Sequence, residues 1–152
     1  MAWDGASAGE WVREIDGADA VVNLAGRSIA CLHTPENQRQ ILDSRINAVR
    51  AVDAGLARCS RPPPVLVQAS AVGLYGDAGG SLCDEQSPKG LDFVARVVSD
   101  WEEAFFSGGS GGVPRRVALR IGFVLGREGR STPWPALPGP SSGARPETAG
   151  SI

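Results

Sequence analysis

Three side chains that can transfer protons occur only once each in this sequence of 152 residues: His33, Tyr75 and Lys89. Any mechanism that needs an imidazole, a phenol or an amine therefore has a single candidate position. Cys31 stands two residues before His33, and zinc accepts both residue types as ligands. No third or fourth ligand clusters near them in the sequence, so we expect no metal site.

The composition narrows the class of protein. The chain has 15 basic and 17 acidic residues, a formal net charge of −2, and 42% hydrophobic residues. This balance gives no electrostatic footprint for nucleic acid or for an anionic membrane surface. No apolar run approaches the roughly 20 residues of a spanning helix, and the N-terminus lacks the layout of a secretory signal. The cysteines, Cys31, Cys59 and Cys83, are odd in number and widely spaced, which favours a cytoplasmic location.

Three apolar segments predict buried strands. The first is residues 18–24, the second is residues 65–70, and the third, with its exit, is residues 116–126. Arg115 and Arg116 lie where the third strand begins, and we interpret them as a solvated pair. A short helix is expected before the first strand.

Two long helices are predicted between these strands. Thr34 is a capping residue followed by proline, and the helix that it opens should end near Cys59, before three consecutive prolines. Asp92 opens the second helix, whose apolar stripe runs over residues 93–105 with two glutamates, including Glu102, at its edge. We interpret that stripe as core packing.

The alternation of strands and helices predicts an α/β fold with a parallel sheet and crossover helices. Ligands of such sheets bind beyond the carboxyl ends of the strands. The loops at those ends, residues 23–28, 70–77 and 122–126, are rich in glycine and other small residues, which lets a ligand approach the backbone. The pattern covers residues 1–130, whereas residues 131–152 hold five of the 11 prolines and are expected to form a disordered or aberrant tail.

Several short motifs follow one another in a recognisable order. They are Asn23-Leu24-Ala25-Gly26, Ser44-Arg45, Gln68 to Asp77, Asp84-Glu85 with Ser87-Pro88, Trp101-Glu102, and Arg120 to Gly126. Together they resemble the epimerase family within the extended short-chain dehydrogenase/reductases, over about residues 3–129. The resemblance implies a Rossmann-type doubly wound parallel sheet that binds NAD or NADP.

The resemblance also implies a role for individual positions. The Asn23–Gly26 turn would close the cofactor pocket near the adenine ribose, and Ser70 would bind a substrate oxygen beside the nicotinamide. Tyr75 would shape the substrate side. The implied cofactor-binding positions are Asn23, Leu24, Ala25, Gly26, Arg120, Gly122 and Val124, and the implied catalytic positions are Ser70 and Tyr75. A serine at a buried strand end also simply satisfies backbone groups, and such a tyrosine also serves as a packed aromatic.

The chain departs from the usual pattern of that superfamily in two respects. The superfamily's catalytic tyrosine has a lysine four residues later, one helical turn away, which lowers the pKa of the phenol. Tyr75 and Lys89 are fourteen residues apart, so they cannot form that pair. Nothing before Asn23 supplies the strand, glycine-rich turn and helix that hold a pyrophosphate, so we expect a fragment that lacks its first βαβ unit.

Three functions follow from these expectations. The first is an NAD(P)-dependent epimerase or oxidoreductase that acts on a small or nucleotide-linked substrate and is impaired in this short form. The second is a non-catalytic module that binds a nucleotide or a partner, which the missing tyrosine–lysine pair favours. The third is a non-functional product of a misassigned reading frame. The substrate, the choice between NAD and NADP, and the oligomeric state stay open.

Overall fold

The fold rests on a three-stranded sheet whose carboxyl ends lie at one edge. The computed structural model describes residues 3–109, 112–113 and 115–124. Within them the strands are β1 (Val21–Asn23), β2 (Val65–Ala71) and β3 (Arg115–Ile121). They pair in the order β1-β2-β3, and both pairings are parallel. The tail expected at residues 131–152 lies outside the described residues.

The two long helices begin where the capping signals predict. Helix α1 spans Val12–Ile15, α2 spans Pro35–Leu56 and α3 spans Phe93–Ser107. The side chain of Thr34 accepts a hydrogen bond from a backbone N–H in the first turn of α2, and that of Asp92 does the same for α3. Both caps satisfy an N–H that the helix itself leaves without a partner.

Alternate residues of the strands face α2 and α3. Val21, Leu66 and Ala118 lie on this face and pack in or against a core of buried helix residues. Those helix residues are Val49, Val52, Leu56, Trp101 and Phe105. Because side chains alternate across a strand, the intervening residues face the other way. Two of them, Val22 and Leu119, are 57% and 47% exposed, so the sheet is covered more fully on its helix side.

The α/β fold with a parallel sheet is confirmed, and three local expectations are wrong. Arg116 is not solvated: its guanidinium is largely buried and pairs with Asp53 of α2. Glu102 does not lie at the edge of the α3 stripe but is buried within it, with 6% of its surface exposed. Residues Val72–Tyr75, expected to be loop, form a 3-10 turn. In the described part of the chain, no helix combines the length and the apolar character needed to cross a membrane.

Candidate functional site

The parallel register brings the predicted loops to one edge of the sheet. Asn23, the last residue of β1, is level with Gln68 of β2, and Ser70 of β2 is level with Arg120 of β3. The chain therefore leaves all three strands at the same edge. This is the place where parallel α/β sheets bind ligands.

Two buried amides join the first two strands at this edge. The side-chain N–H of Asn23 donates to Gln68 Oε1 over 2.9 Å, and the side-chain N–H of Gln68 donates to the backbone oxygen of Asn23 over 3.3 Å. Asn23 also accepts a hydrogen bond from the backbone N–H of Ala25 over 3.0 Å, which shapes the turn. Asn23 thus fixes where the turn leaves the sheet, and its own polar atoms face inward.

The turn that follows β1 packs against α2. The hydroxyl of Ser44 accepts a hydrogen bond from the backbone N–H of Arg27 over 3.0 Å. One guanidinium nitrogen of Arg45 donates to the backbone oxygens of Arg27 and Ile41, over 3.0 and 2.9 Å. Gly26 lies directly against Arg45, because a Cβ at Gly26 would be 3.3 Å from Arg45 Cγ. The motif Ser44-Arg45 therefore holds the Asn23–Gly26 turn in place.

A cleft of about 430 Å³ opens beside this turn. Its lining combines small residues with one cation, one carboxylate, one amide and one aromatic ring; these residues are Trp3, Asp4, Gly5, Ala6, Ala25, Gly26, Arg27, Ser44 and Asn47. The Asp4 carboxylate accepts hydrogen bonds from the Ser7 hydroxyl and from the backbone N–H groups of Ala6 and Ser7. These bonds lower the pKa of Asp4 to about 2. Leu24, the second residue of the motif, is 70% exposed at the same turn.

Arg45 is a cation with no carboxylate beside it in the described residues. Its guanidinium carbon lies 5.0 Å from the ring centroid of Trp101, and burial lowers the pKa of Arg45 from its ordinary value. Backbone oxygens and an aromatic face partly compensate its charge. Arg45 therefore stabilises the turn at Gly26 and Arg27.

A buried charge network lies at the other end of the edge. The Ser70 hydroxyl donates to Glu102 Oε1 over 2.5 Å. Arg120 donates two hydrogen bonds to the same carboxylate: Nε is 3.0 Å from Oε1 and Nη2 is 2.9 Å from Oε2. Such a two-point contact fixes the plane of the guanidinium as well as its position.

The charges of this network stabilise each other. Burial raises the pKa of Glu102, but the hydrogen bonds from Arg120 and Ser70 outweigh burial, and the net pKa lies below the ordinary value of 4.5. The hydrogen bonds to Glu102 in turn raise the pKa of Arg120. Near neutral pH the pair is therefore a carboxylate and a guanidinium.

The phenol of Tyr75 belongs to the same network. Arg120 Nη1 donates to the Tyr75 hydroxyl over 2.7 Å, and that hydroxyl donates to the backbone oxygen of Asp84 over 2.7 Å. Arg120 Nη1 also lies 3.4 Å from the backbone oxygen of Glu85. Lys89, the chain's single lysine, donates instead to the Ser99 hydroxyl of α3. The structure thus joins the two candidate catalytic residues through Arg120 and Glu102, not through a lysine.

The hydroxyl protons of Ser70 and Tyr75 are both engaged inside the protein. Ser70 is 4% exposed and donates its hydrogen bond to Glu102, whereas Tyr75 is half-buried and donates its hydrogen bond to a backbone oxygen. In this arrangement each oxygen still has the lone-pair capacity to accept one more hydrogen bond. The other predicted positions after β3, Gly122 and Val124, are exposed.

Sequence reasoning gave no site role to Glu102 or Arg45. A signal for Glu102 was present, because it stands four residues after Val98 and three before Phe105, on the helix face that those residues bury. A carboxylate on a buried stripe requires a cationic partner. Which arginine supplies that partner depended on the sheet register.

Two curated relatives of this chain carry the same family name. It is 41% identical over 123 residues to an epimerase family protein of Arabidopsis thaliana, the chloroplastic SDR39U1 homologue, with 79% of this chain and 35% of that protein aligned. It is 34% identical over 118 residues to the epimerase family protein YfhF of Bacillus subtilis, with 77% of this chain and 39% of that protein aligned. The chain thus spans between a third and two fifths of these relatives. No protein-family model matches the chain.

Solved structures agree in fold. The human epimerase family protein SDR39U1 (isoform 2), solved with NADPH, is 28% identical and has a TM-score of 0.64, with 80% of this chain and 43% of that chain covered. A nucleoside-diphosphate sugar epimerase from Corynebacterium glutamicum is 31% identical and has a TM-score of 0.59, with 79% of this chain and 25% of that chain covered. Over these aligned residues, the chain belongs to the epimerase family.

Proposed function

We propose that this chain is the part of an NAD(P)-dependent epimerase-like oxidoreductase that lines the cofactor groove and the reacting side. The proposed substrate is a small or nucleotide-linked molecule, as in the extended short-chain dehydrogenase/reductases. The observation that carries the proposal is the common edge at which three parallel strands end: Gly26 follows β1, Ser70 is the last residue but one of β2, and Gly122 follows β3. The NADPH in the human relative supports the choice of cofactor.

The residues present suit one part of a dinucleotide better than another. The cleft at Ala25–Arg27, with Trp3 on its wall, has the volume of a small-ligand site. Asn23 and Gly26 would lie against the nucleoside, and Arg120 to Val124 would border the nicotinamide end. The described residues before β1 contain no strand followed by a glycine-rich turn, so they offer no cradle for the pyrophosphate.

A bound nicotinamide would supply or accept a hydride, and the chain's own groups would orient the substrate. Ser70 and Tyr75 would offer oxygen lone pairs to a substrate hydroxyl, because their protons are held by Glu102 and by the backbone oxygen of Asp84. Arg120 would keep both oxygens at a fixed separation. Since the pyrophosphate cradle is missing from the described part, we propose that this chain holds the dinucleotide weakly.

A titration with NADPH, followed by amide NMR, tests the proposal. We expect millimolar binding, with the shifts concentrated at residues 25–27 and 44–47. Gly26→Val should weaken binding about fivefold or more, because the new side chain meets Arg45 and narrows the cleft. Gly80→Val is the matched control: a Cβ there meets nothing within 4 Å, and Gly80 does not line the cleft.

Three results would contradict the proposal. Micromolar binding would show that the chain is not impaired. Shifts elsewhere on the surface would place the nucleotide outside this edge. Equal binding by the Gly26→Val and Gly80→Val variants would remove the turn from the site.

A non-catalytic nucleotide-binding module is the second candidate. It is favoured by the engaged protons of Ser70 and Tyr75, since a general acid needs a proton to give. A full-length relative with the same motifs separates the two. Turnover that falls sharply in the variant at the Ser70 position supports an enzyme, whereas NADPH binding without turnover of sugar nucleotides supports the module.

A further inference from the structure

The segment between Tyr75 and Leu91 is a loop closed tightly at its base. The backbone N–H of Gly90 donates to the backbone oxygen of Leu74 over 2.8 Å. A Cβ at Gly90 would lie 2.8 Å from the Cα of Gly76, so this approach requires glycine. We call residues 77–89 the 77–89 loop. It emerges at the carboxyl edge of the sheet, beside the network of Ser70 and Arg120.

The 77–89 loop is tied to the sheet at a second place, its middle. The Tyr75 hydroxyl donates to the backbone oxygen of Asp84, and Arg120 Nη1 approaches the backbone oxygen of Glu85. Within the loop, Asp84 and Ser87 form a local turn through their side chains. These contacts attach the turn to β3 through Arg120 and Tyr75.

Arg120 can make these contacts together only while its planar guanidinium keeps one orientation. Two of its three nitrogens bind Glu102, and the third, Nη1, serves both Tyr75 and the loop. Glu102 is buried and is held by Ser70 as well. The chain of contacts therefore runs from α3 through the sheet edge to the loop.

We propose that Glu102 is a positioning residue that fixes the conformation of the 77–89 loop at the candidate site. Its carboxylate orients Arg120, and Arg120 orients Tyr75 and the backbone oxygens of residues 84 and 85. That the loop lies beside a substrate site rests on the proposed function. Its dependence on Glu102 is a property of the chain alone.

The chain contains a matched control for this role. Arg116 and Asp53 form a second buried pair between β3 and a helix, but its other contacts are with Phe105 and not with a loop at the carboxyl edge. Glu102→Gln and Asp53→Asn each replace a buried carboxylate by the amide of the same shape. Any general loss of stability appears in both variants.

Hydrogen exchange of the unliganded chain tests the proposal. The amides of Asp84, Gln86 and Ser87 are hydrogen-bonded within the loop. In Glu102→Gln they should exchange about tenfold faster or more, because the anchoring contacts open locally. In Asp53→Asn their rates should stay within about twofold of the native chain. Equal acceleration in both variants, or none in Glu102→Gln, would overturn the proposal.

The single tyrosine provides an independent signal. With tyrosine labelled at its ring carbon Cζ, the one NMR resonance should move in Glu102→Gln and stay in Asp53→Asn; an unmoved resonance in Glu102→Gln would overturn the proposal. Should Glu102→Gln not fold, Arg120→Lys takes its place with Arg116→Lys as control, since one ammonium cannot serve Glu102, Tyr75 and Glu85 together. Neither measurement uses a nucleotide, so a titration result that contradicts the proposed function would leave this proposal standing.

Discussion

The two ends of β3 carry the same chemical device in different surroundings. At one end Arg116 pairs with Asp53 of α2, and at the other end Arg120 pairs with Glu102 of α3. Both arginines lie on the helix side of the sheet, and both pairs are largely buried. Two hydroxyls, those of Ser70 and Tyr75, join only the Arg120 pair.

This difference shows that a buried ion pair does not by itself mark a functional site. The Arg116 pair joins the last turns of α2 and α3 to β3. Arg116 pairs with Asp53 of α2 and donates a hydrogen bond to the backbone oxygen of Phe105 in α3. The Arg120 pair lies where the strands end, so its remaining donors reach groups that a ligand can approach. The position on the sheet therefore separates the two pairs: only the Arg120 pair lies at the edge where we propose a ligand site.

The largest expected effect is common to both ends. Asp53→Asn and Glu102→Gln should each lower the free energy of unfolding by about 3 kcal/mol, because each leaves a buried arginine without its counter-charge. Urea unfolding measures the loss. The exposed carboxylate of Glu36, replaced in Glu36→Gln, is the control and should leave the midpoint unchanged. A native-like midpoint for Glu102→Gln would mean that its pair with Arg120 is not formed.

The pH dependence of stability should separate Glu102 from an ordinary carboxylate. Its pKa is lower in the folded than in the unfolded chain, so the unfolded state binds more protons as the pH falls below the ordinary value of 4.5. The free energy of unfolding should therefore decrease through this range, until the folded carboxyl is also protonated. Glu102→Gln should decrease less steeply when unfolding is measured from pH 6 to pH 3. Parallel curves for the variant and the native chain would contradict the assignment.

Ser70→Ala should cost less than loss of the carboxylate. It removes one hydrogen bond to a charged group, which is worth about 2 kcal/mol, and leaves the contact of Glu102 with Arg120 intact. Ser107→Ala is a suitable control, because that exposed hydroxyl binds only a backbone oxygen. If Ser70→Ala unfolds at the native midpoint, the hydrogen bond from Ser70 to Glu102 does not stabilise the fold. The hydroxyl is then available to bind a substrate.

Tyr75→Phe should have the smallest effect, about 1 kcal/mol, because it removes the phenol oxygen and keeps the ring under Arg120. The double variants of Tyr75→Phe are more informative than the size of its own stability loss. Combined with Glu102→Gln, the losses should not add, since both act through Arg120. Combined with Asp53→Asn, they should add within about 0.5 kcal/mol, because distant sites are independent. Additivity in both double variants would show that the phenol is outside the network.

Local signals in the sequence predicted the elements well. Thr34 and Asp92 mark the starts of the two long helices because a cap is satisfied by atoms a few residues away. The alternation of strands and helices predicts the parallel sheet, and the parallel sheet places the predicted loops around Asn23 and Ser70 at one edge. These inferences need only short-range geometry and the fact that parallel strands point the same way.

The partners of the charged side chains were not accessible in this way. Arg116, interpreted as solvated, is buried against Asp53, which lies 63 residues earlier in the sequence. Glu102 meets Ser70 across 32 residues and Arg120 across 18. A carboxylate on a buried stripe shows that a cation is needed, but several arginines qualify until the register is known.

The amino-acid order alone determined the helix starts, the strand segments and the loops in which small residues and hydroxyls gather, since these depend on neighbours within a few positions. Only the folded chain decided that the Ser70 and Tyr75 protons are held by other groups of the same protein. The reason is electrostatic: attraction between buried charges depends on their separation in space, and the packing of α2 and α3 on the sheet sets that separation.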